Sequence, residues 1–360
     1  MNVTKNERLA SLDILRGLDL FMLVGLQPVL IAVAGAWTDA PGWFRAMMFQ
    51  LDHEVWEGLR CWDLVMPLFL FMVGAAMPFS FAKYRRSSSR QALWRRIWRR
   101  VIILFLLGML VQGNLLTLDP SRFTIYTNTL QAIAVGYLTA SAILLCCDLR
   151  GQILATLMLM IIYSAGMALG GDYTPGGSWA FAVDRAILGD FRGDLTYTWI
   201  WSSLTFGATV MAGAFAGQLM RRRDIPRPRI ALWLAAGGTT LIAAGLLLSL
   251  WEPVIKRLWT SSMTLLTGGI CTLLMALFYW WIDVRGHSCG LNWLKIYGMN
   301  AITAYVVGEV INFRSIVDSL SYGLQPLIGD WYGVWLTAGN FAILFMILYY
   351  MSRRGLFLKI

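Results

Sequence analysis

His53 and Asp63 are the residues of this 360-residue chain whose types and spacing most directly suggest chemistry. The chain has only two histidines, and His53 comes just before an apolar run that Asp63 opens. Imidazole titrates near neutral pH, so a histidine can accept a proton or an acyl group under physiological conditions. A carboxylate ten residues later can orient the ring, or it can simply begin a helix, where the macrodipole favours a negative charge.

Other polar side chains interrupt the apolar segments. Gln27 lies halfway along the first segment and Asn300 lies within a later one. Gln131 follows Asn128 by three residues at the start of another segment, so that both lie on one helix face. A polar group at membrane depth needs a compensating contact. Such groups either hydrogen-bond between helices and fix their register, or line a path for a substrate.

The composition around these residues is that of a membrane protein. Apolar residues make up 58% of the chain, charged residues 14%, and the mean hydropathy is +0.61. Soluble domains average about 45–50% apolar and 25% charged residues, and a helical span needs roughly 20 apolar residues. We therefore predict an all-α, polytopic integral membrane helical bundle. It forms a single domain over residues 1–360 with about ten transmembrane helices, at residues 17–36, 63–82, 101–118, 128–147, 151–169, 202–220, 230–250, 261–282, 296–311 and 332–352.

The distribution of basic residues predicts the orientation of these spans. Ten spans put both ends of the chain on the same side of the membrane. Most lysines and arginines fall in the segments on that side, with the densest clusters at 85–100 and 221–229. Because cytoplasmic loops are enriched in basic residues, both termini are predicted to be cytoplasmic and His53 to face the opposite side. The net charge of +10 then reflects contact with the lipid bilayer rather than nucleic acid.

Neither histidine nor cysteine spacing suggests a metal site. The five cysteines contain no Cys-x-x-Cys motif, and the predicted topology puts His53 and His287 on opposite sides of the membrane. We therefore predict no bound metal.

Several segments, spread over nearly the whole chain, resemble a known family. They are Ser11–Leu18, His53–Gly74, Thr129–Ile133, Leu258–Ser262, Phe278–Val284 and Gly298–Val306. Together they resemble bacterial members of the transmembrane acyltransferases, in the branch typified by heparan-α-glucosaminide N-acetyltransferase. The block from His53 to Gly74 is the most specific of them.

The resemblance implies an acetyltransferase of the bacterial inner membrane. Such an enzyme takes an acetyl group from cytoplasmic acetyl-CoA and delivers it to a sugar or amino sugar on the other side. It also implies that His53 is the catalytic residue. Family members resemble dimers, so a homodimer is compatible with the resemblance, but the sequence does not determine the oligomeric state. Gln27 stands at a position where the lysosomal member of this family has asparagine. We expect Asp63 to orient His53, and Gln27 or Asn300 to donate to the developing oxyanion.

Arginines near the predicted cytoplasmic ends of the helices are the candidates for binding the acetyl-CoA phosphates, because guanidinium groups suit phosphate geometry. We predict this role for Arg16, Arg99 and Arg100, and a co-substrate contact for Gln131. Each arginine has a plainer interpretation as a determinant of topology.

Several alternatives remain open at the level of sequence. The chain could be a more general O-acyltransferase that moves another acyl chain to a lipid-linked or envelope glycan. It could also be a polytopic transporter or flippase with His53 as a gate or proton relay. The acceptor, the choice between N- and O-acetylation, and the choice between direct transfer and an acetyl-imidazole intermediate are not determined.

Overall fold

The computed structural model describes residues 9–85, 89–113, 119, 123–193 and 196–358, in which no β-strand occurs. These residues form the following α-helices, in chain order: α1 (Ala10–Phe21), α2 (Gln27–Ala36), α3 (Gly42–Gln50), α4 (Val65–Arg85), α5 (Arg90–Val111), α6 (Thr129–Cys146), α7 (Leu149–Gly170), α8 (Trp179–Leu188), α9 (Ser203–Met220), α10 (Arg227–Leu248), α11 (Ser261–Phe278), α12 (Leu294–Met299), α13 (Ala301–Val310), α14 (Arg314–Ser321), α15 (Gln325–Ile328) and α16 (Tyr332–Arg353). A π-helical turn, Met22–Leu26, joins α1 to α2, a second, Tyr279–Val284, extends α11, and a 3₁₀ turn, Cys61–Leu64, precedes α4.

Long apolar helices make the chain an all-helical, multi-pass membrane protein. Within the described ranges, seven helical stretches are long and apolar enough to cross a membrane. They are Ala10–Ala36, Cys61–Ala82, Thr129–Cys146, Leu149–Gly170, Arg227–Leu248, Ser261–Val284 and Arg314–Arg353.

Three of the predicted spans, 101–118, 202–220 and 296–311, do not correspond to such stretches. The first falls on α5, which begins in a basic segment, and residues 114–118 lie outside the described part of the chain. The second falls on α9, which is built largely of small residues. The third was predicted as one continuous helix, but it is broken at Asn300 into α12 and α13. The ten-span topology and the cytoplasmic termini stay predictions.

The first helix begins earlier than predicted. The apolar pattern places its start at residue 17, whereas α1 starts at Ala10. The backbone N–H groups of Ala10 and Ser11 donate to the two carboxylate oxygens of Asp283, over 3.3 and 3.2 Å. Asp283 therefore satisfies donors that a helix N-terminus leaves without intrahelical partners. A cap supplied from the other end of the chain leaves no local sequence signal.

The chain divides into two compact units. The first unit comprises Met1–His53, Arg60–Val65 and Trp281–Lys359, and the second comprises Glu54–Leu59 and Met66–Trp280. The chain passes between the two units several times, so neither corresponds to one continuous stretch of sequence. The single domain predicted for residues 1–360 stays a prediction.

In the first unit, α1 and α12 pack with their backbones in contact. A Cβ atom on Gly17 would lie 1.8 Å from the carbonyl oxygen of Leu294, and one on Gly298 would lie 1.9 Å from that of Asp13. Only glycine fits at either position, which is a common device where membrane helices approach closely. The glycines of two of the family-like segments are therefore required by this helix crossing.

In the second unit, α9 packs against α4, α6, α7, α10 and α11. Its contact with α4 is again made by glycines. A Cβ atom on Gly213 would lie 1.9 Å from the carbonyl oxygen of Phe71, and one on Gly74 would lie 1.8 Å from that of Val210. The small residues of α9 thus allow close helix packing. Because small residues are less hydrophobic than large apolar ones, they also lower the mean hydropathy of α9.

Asp184, in α8 of the second unit, is a buried carboxylate outside the apolar stretches. It accepts hydrogen bonds from the backbone N–H groups of Trp199 and Ile200, over 2.7 and 2.9 Å. Burial raises the pKa of Asp184 to about 6, and these backbone donors only partly oppose the shift. An unfolded aspartate has a pKa of about 3.9, so the folded protein binds this proton more tightly.

This difference predicts a stability that falls as the pH rises. The stabilising contribution of protonated Asp184 is fully present below about pH 4 and is lost as the pH rises through the folded-state pKa of about 6. We expect Asp184→Asn to flatten this part of the pH profile, measured as the unfolding temperature of the detergent-solubilised protein. Asp190→Asn, which alters an exposed carboxylate just after α8, should keep the wild-type slope. Identical slopes for wild type and Asp184→Asn would contradict the assignment.

Candidate active site

Two hydrogen bonds to the backbone of Arg60 hold Asp63 where the chain enters α4. It lies in the 3₁₀ turn Cys61–Leu64, with its backbone N–H bonded to the carbonyl oxygen of Arg60 over 3.0 Å. Its Oδ2 atom accepts the backbone N–H of Arg60, also over 3.0 Å. The carboxylate therefore caps the turn, as one of the two sequence interpretations expected. These contacts fix the direction of its second oxygen.

That second oxygen contacts the imidazole of His53. The distance from Asp63 Oδ1 to His53 Nδ1 is 2.8 Å, and the Asp63 side chain is fully buried whereas that of His53 is 42% exposed. An ionised carboxylate only accepts hydrogen bonds, so the imidazole proton resides on Nδ1. The basic lone pair of the neutral ring is then on Nε2. Asp63 thus caps the turn and contacts His53, so the two interpretations of this residue are compatible, and its orienting role stays a prediction.

Gln27 supports the segment that carries His53. Its Nε2 atom donates to the backbone carbonyl oxygen of Leu51 over 2.8 Å, two residues before His53. Gln27 follows directly after the π-helical turn Met22–Leu26, a local distortion that is frequent at functional sites. One amide hydrogen of Gln27 is therefore committed to the loop, and the other is the one available for the predicted oxyanion contact.

Further contacts that sequence reasoning missed hold the two ends of this loop together. The Arg60 guanidinium carbon lies 3.8 Å from the ring centroid of Phe49, a cation–π contact. The backbone N–H of Cys61 donates to the side-chain oxygen of Gln50 over 3.3 Å. The Arg60–Asp52 ion pair, at 3.8 Å, contributes little because the Asp52 side chain is 78% exposed. Together these contacts position the backbone on both sides of the His53–Asp63 pair.

In the second unit, residues between His53 and Asp63 are anchored separately. The indole N–H of Trp56 donates to the carbonyl oxygen of Tyr173 over 2.8 Å, and the backbone N–H of Gly58 donates to Val254 over 2.8 Å. Gly58 has a φ of 124°, a conformation that favours glycine. The family-like block therefore contains structural residues as well as the histidine and the carboxylate.

Asn300 lies at the helix break in the first unit, with φ −117° and ψ 36°. The residue is 2% exposed, and among the described residues neither side-chain amide atom has a hydrogen-bond partner. The hydroxyl groups of Tyr297 and Thr303 share this property. Buried polar atoms are normally paired, so the side chains of Asn300, Tyr297 and Thr303 have hydrogen-bonding capacity that the described residues leave unused.

The predicted phosphate-binding arginines are divided between the units. Arg16 lies half-buried on α1 of the first unit, whereas Arg99 and Arg100 lie on α5 of the second. Arg99 is exposed, and the Arg100 guanidinium lies 4.5 Å from the ring centroid of Tyr137. The phosphate contacts of all three arginines stay predictions.

Gln131 has an observed role that differs from the predicted one. Its Oε1 atom accepts the backbone N–H groups of Thr127 and Asn128, over 2.8 and 3.0 Å, and its Nε2 atom donates to Ile125 over 2.7 Å. The Asn128 side chain in turn accepts the N–H of Leu130 over 2.8 Å. This reciprocal arrangement is a capping box at the start of α6. The predicted co-substrate contact of Gln131 stays a prediction without support from these bonds.

The helices and the His53–Asp63 pair define a multi-pass membrane protein with an oriented imidazole at the entry of an apolar helix. A family model described as a domain of unknown function (DUF5009) matches residues 8–122, which include both residues. Heparan-α-glucosaminide N-acetyltransferase of Homo sapiens is 24% identical over 370 aligned residues, covering 84% of this chain and 53% of the human protein.

The chain is a distant relative of that enzyme, which confirms the resemblance inferred from the motifs. It spans about half the length of the human protein.

Proposed function

We propose that this chain is a membrane acetyltransferase. It moves an acetyl group from cytoplasmic acetyl-CoA to a sugar or amino sugar on the opposite side of the bilayer. The 2.8 Å contact between His53 Nδ1 and Asp63 Oδ1 carries the proposal, because it prepares Nε2 as a base or nucleophile. The distant relation to an N-acetyltransferase supports the choice of reaction.

In the direct route, His53 acts as a general base. The acceptor nitrogen or oxygen forms a bond to the acetyl carbon while Nε2 takes its proton, and the carbon–sulfur bond of the thioester breaks. The protonated imidazole then returns the proton to the departing sulfur, which gives CoA thiol and the acetyl amide or ester. Asp63 stabilises the positive imidazolium and keeps its orientation.

In the covalent route, Nε2 itself attacks the thioester carbon and CoA leaves before the acceptor reacts. The acetyl-imidazole then passes its acetyl group to the acceptor, and the imidazole is regenerated. Both routes develop negative charge on the carbonyl oxygen. The buried amide of Asn300, whose Nδ2 is without a partner among the described residues, is the proposed donor to that oxygen. The second amide hydrogen of Gln27 is the other candidate.

The proposed setting is the inner membrane of a bacterium, with the protein as a homodimer. Seven apolar helical stretches support a bilayer location. The excess of basic residues on one predicted side supports a cytoplasmic source of acetyl-CoA, since that side would face the cytoplasm.

The test is transfer of labelled acetyl groups by purified protein in proteoliposomes. Acetyl-CoA is supplied on one side and a panel of amino sugars, neutral sugars and glycan fragments on the other. We expect a labelled amide or ester together with an equal amount of free CoA thiol, and slower reaction with longer acyl-CoAs. Exchange of label between acetyl-CoA and CoA without acceptor would identify the covalent route. Movement of a glycan across the membrane without any acetyl-CoA would favour the transporter instead.

A further inference from the structure

A cavity of about 290 Å³ lies among α4, α6, α7 and α9 of the second unit. We propose that it binds the nucleotide end of acetyl-CoA, that is, the adenine ring and its phosphates. This assignment takes its ligand from the proposed function. Its lining residues are Pro78, Phe81, Ala82, Leu144, Leu145, Gln152, Gln218 and Arg221.

The polar part of the lining consists of two linked amides. Gln152 is buried; its Nε2 donates to the carbonyl oxygen of Cys147 over 3.0 Å, and its Oε1 accepts Gln218 Nε2 over 2.7 Å. This chain of bonds fixes the Gln218 amide in the cavity wall. A glutamine amide offers a donor beside an acceptor, which is the pattern that pairs with the edge of adenine.

The cavity also presents an aromatic wall and a positive charge. Phe81 and the leucines supply apolar surface for the faces of a purine ring. Arg221, the residue after α9, supplies a guanidinium group for phosphate. Binding of an anionic lipid headgroup would require only the positive charge of Arg221. The two amides and the aromatic ring in the lining therefore favour a nucleotide as the ligand.

A second guanidinium group is linked to Phe81 through the ring of Tyr137. The Phe81 ring packs edge-on against Tyr137, with 6.4 Å between centroids, and the Arg100 guanidinium covers Tyr137 at 4.5 Å. The buried Nε atom of Arg100 has no hydrogen-bond partner in the described part of the chain. One of the predicted phosphate ligands is thereby connected to the cavity through two ring contacts.

The size and position of the cavity suit part of a CoA molecule. Pockets for drug-sized ligands occupy about 300–1,000 Å³, so a volume of about 290 Å³ suits one end of CoA rather than the whole molecule. Arg221 opens the basic segment 221–229, on the side predicted to be cytoplasmic, where acetyl-CoA is available.

The test is calorimetric titration of the full-length protein in nanodiscs of zwitterionic lipid, with CoA and with pantetheine. We expect Arg221→Gln and Gln218→Leu each to weaken CoA binding at least about tenfold. Loss of one charge-assisted or buried hydrogen bond has an effect of this size. Pantetheine affinity should not change. Ala82→Phe, which fills the cavity without breaking a hydrogen bond, should weaken CoA binding similarly and provides a second test if Gln218→Leu fails to fold.

Arg222→Gln is the matched control, because Arg222 is exposed and bonded to Asp224, over 2.7 Å from Nε to Oδ1. It removes the same charge one residue away and should leave CoA affinity unchanged. Wild-type CoA affinity in all three cavity variants would overturn the cavity assignment while leaving the acetyltransferase proposal standing. Absence of CoA binding by the wild-type protein would instead reject the acetyltransferase proposal. A parallel measurement compares the anionic lipid that purified wild-type and Arg221→Gln proteins retain. If Arg221→Gln lost that lipid while its CoA affinity stayed at the wild-type value, the occupant would be a lipid headgroup and the nucleotide assignment would be wrong.

Discussion

Replacing His53 with alanine is expected to lower acetyl transfer by at least about 10²–10⁴-fold, the contribution of a positioned acid–base group. The loss follows because both routes use Nε2, the nitrogen made basic by the bond from Nδ1 to Asp63. Turnover should be measured with saturating labelled acetyl-CoA and the best acceptor from the panel. Addition of free imidazole should restore part of the activity of His53→Ala.

His287→Ala is the matched control, since His287 is the second histidine of the chain and is exposed. Its ring stacks on Trp281 with 4.9 Å between centroids, so its removal affects a surface contact outside the proposed chemistry. His53→Gln provides a second variant that can still donate a hydrogen bond to the buried Asp63. Near-normal turnover in either folded His53 variant would contradict the catalytic role of His53 and with it both proposed routes.

The His53–Asp63 pair could be predicted from the sequence, because both residue types take part in acid–base chemistry and both lie close to the start of a helix. The sequence could not show how the two roles of Asp63 divide between its oxygens, since that depends on the 3₁₀ turn and the backbone N–H of Arg60. Nor could it show that Gln27 holds the carbonyl oxygen of Leu51, because that contact depends on the path of the intervening loop.

Helix positions could be predicted where apolar residues run without interruption. They were less predictable where long-range contacts determine the start or the break of a helix. Asp283 caps α1 from a position 273 residues further along the chain than Ala10, and the break at Asn300 interrupts an apolar run of ordinary composition. Gln131 is different, because Asn128 followed by Gln131 is a local capping-box signature. That signal was present in the sequence and favours the structural interpretation over a co-substrate contact.

The positions of the predicted catalytic residues narrow what each can do. His53, Asp63, Gln27 and Asn300 all belong to the first unit. Asp63 contacts His53 and Gln27 contacts the loop backbone, so these contacts favour a positioning role for both residues. Asn300 differs because its buried amide atoms have no partner among the described residues. It is therefore the better candidate for direct contact with the reacting carbonyl group.

Replacing Asp63 with asparagine is expected to lower kcat by about 10²–10⁴-fold while changing the KM for acetyl-CoA little. Asparagine keeps the shape of aspartate, and its Oδ1 can still accept the backbone N–H of Arg60. Its Nδ2 would then face His53 Nδ1 and require that nitrogen to accept a hydrogen bond. The imidazole proton would move to Nε2, which removes the base from the reacting side of the ring.

The separation of kcat from KM distinguishes this orienting role from a merely structural one, because general misfolding of the loop would change both. Asp39→Asn is the control, since Asp39 is an exposed carboxylate just after α2, and its kcat should stay within about twofold of wild type. Asp63→Glu restores the charge but moves the oxygens, so it should recover only part of kcat. A rise in KM for Asp63→Asn with unchanged kcat would show that Asp63 serves binding, and His53 would then need another partner to fix its tautomer.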